Sequence, residues 1–65
     1  MAIHYFRKAT EINPFDAELW YDLGGAYYYK KQTDRAYECW AQALKLNPDH
    51  EKAKNGLRAL GSIKQ

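Results

Sequence analysis

The sequence contains few of the residues that mark secreted or membrane-bound proteins. Among its 65 residues there is one cysteine, Cys39, which cannot form a disulfide within the chain. The fold therefore needs no oxidising compartment, and we expect a reduced, cytoplasmic setting. No apolar run approaches the ~18 residues of a membrane span, and residues 1–9 lack the apolar core of a signal peptide. We expect no membrane partner.

A large excess of charge of either sign is also missing. Ten Lys and Arg residues against eight Asp and Glu residues give a net charge of +2, which is spread along the chain. So small an excess does not favour nucleic acid or an anionic membrane as a partner. A chain of this length buries only about 60% of its unfolded surface, which predicts one small domain without a large active-site cavity.

Proline is scarce too, and the two prolines that are present stand in nearly the same setting. Asn13-Pro14 returns later in the chain as Asn47-Pro48, which defines a repeat offset of 47 − 13 = 34. The same repeat offset relates Ala2 to Ala36, Phe6 to Trp40, Ala9 to Ala43, Ile12 to Leu46 and Leu23 to Leu57. A pattern that recurs in register at this period indicates a chain built from structural repeats.

The prolines also mark helix ends, because proline disfavours the helical conformation at the residue before it. The polar segment KKQTD, residues 30–34, marks a further boundary. Together these signals predict four helices, at about residues 1–12, 16–31, 34–46 and 49–62, and no strand. We expect Asp16 to cap the second helix and Thr33 or Asp34 to cap the third.

The apolar residues of the two central helices form one stripe on each helix. The stripe of the second helix comprises Leu19, Trp20, Leu23, Gly24 and Tyr27, and that of the third comprises Ala36, Tyr37, Trp40, Ala43 and Leu44. Two such stripes predict an antiparallel helix pair. A glycine within a helix costs about 1 kcal/mol relative to alanine, so Gly24 indicates a close helix contact, with Ala36 as its expected counterpart.

These residues resemble a known family. The motif is Trp20-x2-Leu23-Gly24-x2-Tyr27 followed by Ala36-x3-Trp40 and Pro48, all within the span of one repeat offset. It resembles the tetratricopeptide repeat. The resemblance implies an all-α fold of antiparallel helix-turn-helix hairpins, stacked as a short right-handed superhelical solenoid. In the single domain, residues 1–65, it implies the second helix of a preceding repeat (1–16), a complete repeat (17–50) and a C-terminal solvating helix (51–65).

The two outer helices differ in the faces they present. At the positions equivalent to Trp20, Gly24 and Tyr27, the last helix has Lys54, Arg58 and Gly61. Its outward face is therefore polar, as expected of a cap. The first helix carries apolar residues, and the resemblance implies another helix beside it. We expect either a fragment of a longer array or a homo-oligomer in which a second copy covers the N-terminal helix.

Members of the family hold a peptide of a partner protein in a concave groove formed by the first helices of their repeats. By this resemblance, the peptide-binding groove comprises Glu18, Tyr21, Asp22, Gly25, Tyr28, Tyr29, Lys52 and Asn55. Gly25 would form the floor of a cleft between the phenol rings of Tyr21 and Tyr28. Alternatively, either tyrosine could pack against a neighbouring helix. Glu18 and Asp22 favour a basic or neutral ligand, or else belong to a solvated helix face.

No arrangement of residues predicts chemistry. His4, Cys39 and His50 are not spaced as metal ligands or as a nucleophile with its base. Gly24-Gly25 lies within a helix and lacks the strand and the Lys-Ser/Thr signature of a phosphate-binding loop. We therefore expect no catalytic residue, no cofactor and no metal, and interpret the chain as a protein-protein interaction module that acts as a scaffold.

The alternative function is binding of single-stranded RNA. The run YYYKK, residues 27–31, combines the aromatic and basic side chains that such binding uses. Helical geometry disfavours it, because Tyr27 faces the predicted core whereas Tyr28 and Tyr29 face roughly the opposite way. The three rings therefore cannot form one stacking platform.

Overall fold

Four α-helices account for most of the chain. The structure is a computed structural model that describes residues 2–63, with the side chains of residues 3–61. The helices are α1 (Ala2–Ile12), α2 (Ala17–Tyr29), α3 (Thr33–Leu46) and α4 (Glu51–Ile63). No strand occurs between residues 2 and 63. The predicted all-α fold is confirmed, and the helix ends within that range differ from the predicted ones by two residues at most.

The first residues of α2 and α3 are held in different ways. Asp16 caps α2 as predicted, because its carboxylate accepts a hydrogen bond from the backbone N–H of Glu18 at 3.0 Å. The predicted cap of α3 is wrong. Gln32 occupies the cap position without a side-chain hydrogen bond, and Thr33 is already the first helical residue. The turn between the helices is shorter than the polar segment suggested, so Thr33 and Asp34 lie inside the first turn of α3.

That short turn depends on Lys31, which adopts the left-handed conformation with φ of 63°. The backbone N–H of Lys31 donates to the carbonyl of Tyr28 at 2.9 Å, and that of Gln32 donates to the carbonyl of Tyr27 at 2.9 Å. This pair of bonds closes a helix C-terminus as a Schellman motif, in which glycine is the usual left-handed residue. Lys31 therefore closes the turn with the same pair of hydrogen bonds that the motif forms when this residue is glycine.

The helices pack in chain order. The α2–α3 hairpin is the most extensive contact, with α1 against α2 on one side and α4 against α3 on the other. The Cα atoms span 35 × 27 × 13 Å, so the molecule is a thin slab with a narrow core. The buried apolar side chains are Leu23, Tyr27, Ala36, Cys39, Trp40, Ala43, Ala53 and Leu60.

The predicted core stripes are largely present, with three corrections. Leu19 is half-buried and lies outside the apolar core cluster. Tyr37 is 52% exposed, because it lies at the edge of the α3 stripe beyond the reach of α2. Trp20 is half-buried, and its indole N–H donates to the carbonyl of Pro14 at 2.8 Å, which ties the first Asn-Pro turn to α2. The stripes did not predict the burial of Cys39 or of the two α4 residues Ala53 and Leu60.

The indole of Trp40 occupies the centre of the molecule, between two glycines on different helices. A methyl group on Gly24 of α2 would overlap Cδ1 and Nε1 of Trp40. A methyl group on Gly56 of α4 would lie 2.6 Å from its Cε3. The atoms that a side chain at Gly24 would meet first thus belong to Trp40, not to Ala36 as predicted. Trp40 Nε1 donates to the carbonyl of Tyr21 at 3.0 Å, so the ring is also held in its plane.

Candidate peptide-binding groove

An open groove of about 550 Å³ runs between α2 and α4, with part of the Trp40 ring at its base. Its lining residues are Tyr21, Gly25, Tyr28, Tyr29, Trp40, Lys52, Asn55, Gly56 and Ala59. Six of the eight residues expected in the groove are among them. The other two, Glu18 and Asp22, lie on α2 nearer its N-terminus than most of this lining. Six of the eight expected residues therefore lie together, four on α2 and two on α4.

Gly25 leaves the groove open at its middle. No atom lies within 4 Å of the position that a β-carbon of Gly25 would occupy, in contrast to the crowded site at its neighbour Gly24. Tyr21 stands one turn before Gly25 along α2 and Tyr28 almost one turn after it. Gly25 is therefore an open position between Tyr21 and Tyr28 in the lining of the groove.

The same two tyrosines also pack against the core. The ring of Tyr21 stacks on the Trp40 indole with centroids 6.2 Å apart and planes 24° apart. The ring of Tyr28 lies 5.7 Å from the indole at 38°. Tyr28 nevertheless remains 41% exposed. Packing and groove lining are thus both present, because one face of each ring supports Trp40 while the side chain borders the cleft.

Beyond Tyr28 the groove reaches a smaller hollow at the C-terminal end of α2. This hollow of about 280 Å³ is lined by Tyr28, Tyr29, Lys31 and Thr33. Tyr29 is 90% exposed and borders both spaces. The side chain of Lys31 is therefore placed beside the aromatic residues that end the groove.

At the other end, Glu18 forms a contact between α2 and the start of α4. The Oε1 atom of Glu18 lies 3.0 Å from Nε2 of His50, whose side chain is buried. The backbone N–H of Ala53 donates to Nδ1 of the same ring at 3.2 Å. Because Nδ1 accepts, the neutral ring carries its proton on Nε2 and donates it to Glu18. The ring also lies 5.2 Å from that of Tyr21, so His50 positions one wall of the groove.

Asp22 lies half-buried between this contact and the cleft. Burial raises the pKa of its carboxyl, the negative charge of Glu18 raises it further, and Lys52 on α4 opposes the effect. The net direction is upward, mainly because the carboxyl is partly buried; Asp16 adds to the rise in pKa, and His50 opposes it together with Lys52. Glu18, Asp22 and the cap residue Asp16 make this part of α2 an acidic end.

A larger hollow of about 870 Å³ lies beside the two Asn-Pro turns, but its form differs from that of a binding cleft. It is wide and mainly polar, and most of its lining comes from turn residues. Two strongly exposed apolar side chains, Ile12 and Phe15, border it. We place the candidate site in the smaller groove, whose aromatic walls lie on rigid helices and whose lining is mainly apolar.

Comparison with known proteins decides the family. The family model described as tetratricopeptide repeat matches residues 17–50. The chain belongs to the tetratricopeptide repeat family. The predicted family and the position of the complete repeat are thereby confirmed.

Three relatives share parts of this tetratricopeptide repeat sequence. The chain is 36% identical over 44 residues, 68% of its length, to the general transcriptional corepressor ssn6 of Schizosaccharomyces pombe. It is 30% identical over 64 residues, 98% of its length, to the human protein O-mannosyl-transferase TMTC1. It is 31% identical over 49 residues, 75% of its length, to superkiller protein 3 of Saccharomyces cerevisiae. The matches cover 4%, 7% and 3% of these relatives, respectively.

The repeat register of this tetratricopeptide repeat chain explains the residue that sequence reasoning missed. His50 was not predicted to cap a helix, and its side chain caps α4 through Nδ1. The repeat offset relates it to Asp16, the cap of α2. The repeat offset therefore indicated a capping residue at position 50, although histidine is not among the usual capping residues.

The other residues that were considered for catalysis or metal binding occupy structural positions. Burial raises the pKa of the Cys39 thiol to about 11, with a smaller contribution from the charge of Glu38. Cys39 packs in the core, as expected of a small packing residue. Within the described part of the chain, no three His, Cys, Asp or Glu residues lie close enough to hold a metal ion. None of the helices there combines the length and apolarity that crossing a membrane requires.

Proposed function

We propose that this chain is a protein-protein interaction module that binds a peptide segment of a partner protein in the groove between α2 and α4. The observation that carries the proposal is Gly25. It lies in the middle of a helix, where glycine costs about 1 kcal/mol relative to alanine, and no neighbouring atom needs the space that its missing side chain leaves. A ligand side chain that enters from solvent would use that space.

The walls of the cleft also support a binding role. Tyr21 and Tyr28 are held against the Trp40 indole, so a ligand would not have to order them. Rigid aromatic side chains lose little conformational entropy on binding and offer a large apolar surface with a polar tip. The groove is therefore preorganised in the way that favours affinity for a small contact area.

We propose that the module acts by binding alone. The support comes from the residues that would have to do chemistry. Both ring nitrogens of His50 are engaged, one by Ala53 and the other by Glu18. The thiol of Cys39 is buried, with a pKa raised to about 11, so little of it is the reactive thiolate at neutral pH. The cytoplasmic setting stays a prediction.

The proposal is tested by blocking the cleft at its floor. Truncating Tyr21 or Tyr28 would remove packing from Trp40 as well as a groove wall, so loss of binding would have two explanations. Gly25→Leu adds a side chain at the floor of the cleft, where its β-carbon meets no atom within 4 Å, and Gly61→Leu, at an equally open site outside the groove, is the matched control. Peptides selected from a random peptide array should bind Gly25→Leu at least 10-fold more weakly than the unmodified chain. Gly61→Leu should bind them with unchanged affinity, and both variants should keep the melting temperature of the unmodified chain.

Two results would contradict the proposal. One is an array that yields no binder, and the other is a set of binders that Gly25→Leu leaves unaffected. A labelled single-stranded RNA oligonucleotide, titrated at two salt concentrations, tests the alternative function. Tight, salt-sensitive binding that Gly25→Leu does not weaken would favour RNA over peptide.

We also propose that α1 docks onto a second copy of the chain. Tyr5 is 67% exposed and Ile12 is 74% exposed, and their spacing of seven residues places them on one face of α1. Phe15, 84% exposed, extends this apolar surface into the following turn. Light scattering should show a dimer that Tyr5→Ser with Ile12→Ser dissociates. A strict monomer at millimolar concentration would contradict this proposal.

A further inference from the structure

We infer that the groove selects a peptide with a basic side chain at one end, an apolar side chain in the middle and an acidic side chain at the other end. The inference rests on the proposed function and adds the chemistry of the ligand. It follows from the way in which charge is distributed along α2, from its N-terminal half to the turn that follows it.

The acidic end of the groove favours a cationic side chain of the ligand. Asp16, Glu18 and Asp22 follow one another along the first turns of α2. Lys52 is the nearby cation from α4, yet its effect on Asp22 is smaller than that of burial and Glu18 together. His50 also lowers the pKa of Asp22, but its Nε2 is already engaged by Glu18 at 3.0 Å. A Lys or Arg side chain of a ligand would supply the missing charge at Asp22.

The opposite end of the groove favours an anionic side chain of the ligand. Lys30 and Lys31 close α2, and neither forms an ion pair with any residue in the range 3–61. Lys31 stands in the left-handed conformation, which is strained for a residue with a β-carbon and costs glycine almost nothing. Its side chain borders the hollow formed with Tyr28, Tyr29 and Thr33. A ligand carboxylate in that hollow would find an ammonium group and the Thr33 hydroxyl.

The middle of the groove fits an apolar side chain. It lies over Gly25, between the two tyrosines, with Gly56 and Ala59 of α4 on the far side. None of these neighbours carries a charge, and the ring of Trp40 forms the base. An aliphatic or aromatic side chain placed there removes apolar surface from water on both sides of the contact.

The spacing of these subsites matches an extended peptide. Asp22 lies seven residues before Tyr29, the last residue of α2, which corresponds to about 10 Å along the helix, and Lys31 follows in the turn, so the two ends are somewhat farther apart than that. An extended chain covers such a distance in about four residues at ~3.3 Å each. Side chains at positions i, i+2 and i+4 of an extended chain point to the same side. The predicted ligand therefore has a basic, an apolar and an acidic residue at alternate positions, in either chain direction.

The test uses four synthetic peptides and NMR titration, which detects millimolar affinities. The first peptide contains Lys-Ser-Phe-Ser-Glu; in the second Gln replaces Lys, and in the third Gln replaces Glu. The fourth has the composition of the first, with Lys and Glu adjacent. The first should bind at least 5-fold more tightly than each of the others. Asp22→Asn should abolish the preference for the first peptide over the second, in which Gln replaces Lys, and should leave the preference over the third unchanged. Lys31→Gly should abolish the preference for the first peptide over the third, in which Gln replaces Glu, and should leave the preference over the second unchanged.

The outcomes separate this inference from the proposed function. If all four peptides bind equally well and Gly25→Leu weakens them all, the inference is wrong and the groove still binds peptides. If the charge preferences are present but survive Asp22→Asn and Lys31→Gly, the inference is also wrong, because the charges are recognised elsewhere. If no peptide binds at millimolar concentration, the inference is wrong, and the array selection then decides the proposed function. If the peptides bind and Gly25→Leu changes nothing, both the inference and the proposed function fail.

Discussion

Replacing Gly24 and Gly25 by alanine, one at a time, should have opposite effects on stability although the two residues are neighbours in one helix. Each substitution improves helix propensity by about 1 kcal/mol. At Gly25 that gain is unopposed, because the added methyl group meets no atom within 4 Å. We therefore expect Gly25→Ala to raise the free energy of unfolding by about 1 kcal/mol.

At Gly24 the added methyl group overlaps the Trp40 indole, and the ring cannot move aside. Trp40 is 5% exposed, its Nε1 donates a hydrogen bond to the carbonyl of Tyr21, and Gly56 lies against the far edge of its indole. Overpacking of this kind costs about 1–3 kcal/mol, which cancels or exceeds the gain in propensity. Gly24→Ala should therefore be between neutral and about 2 kcal/mol less stable than the unmodified chain.

The two variants should thus differ by about 1–3 kcal/mol. In a domain of this size, 1 kcal/mol shifts the melting temperature by about 4–8 °C. Thermal unfolding followed by far-ultraviolet circular dichroism, with tryptophan fluorescence as a second probe, resolves such a difference. Gly61→Ala, at another open site, is the control and should behave like Gly25→Ala. Equal melting temperatures for Gly24→Ala and Gly25→Ala would refute the packing of Trp40 described above.

Three further predictions concern single side chains. Lys31→Gly should raise the free energy of unfolding by about 1 kcal/mol, because glycine adopts the left-handed conformation without strain; an unchanged or lower melting temperature would contradict this. Cys39 should react with a disulfide reagent at pH 8 about 10-fold more slowly than an ordinary thiol, since the rise in its pKa from 9.0 to about 11 lowers the thiolate fraction about 100-fold and raises the nucleophilicity of the thiolate about 10-fold; an equal rate in the folded protein would show the thiol to be exposed. Asp22→Asn should raise the melting temperature at pH 7, because the pKa of the Asp22 carboxyl is raised in the folded state and its ionisation there lowers stability. The gain should vanish below about pH 4, where the carboxyl is protonated in both the folded and the unfolded state. The exposed Asp49→Asn is its control, and a gain that persists at low pH would exclude the electrostatic cause.

The helices and most of the core were predictable because they depend on patterns within each helix. Leu23, Tyr27 and Ala43 follow from the spacing of apolar residues along one face, and the repeat offset placed them in register. Tyr37 was misplaced because a stripe does not show how far the partner helix extends across it.

Contacts between helices were harder to predict because they depend on relative position. The repeat offset relates Gly56 to Asp22, so the register gives no sign that Gly56 faces Trp40. The dual role of Tyr21 and Tyr28 likewise follows only from the place of the indole beneath them. The groove residues, the floor at Gly25 and the acidic residues Glu18 and Asp22 were expected from the resemblance, whereas the place of Lys31 beside the hollow at the end of α2 required the packed structure.

The most direct test of the central claim is to locate the bound peptide on the molecule. The tightest peptide from the array would be titrated into ¹⁵N-labelled protein and the backbone amide shifts followed by NMR. The account predicts that the largest changes occur at Gly25, Asn55 and Gly56, which border the groove. Changes centred instead on Arg7, Glu11 and Arg35, which line a separate hollow beside α1, would contradict it.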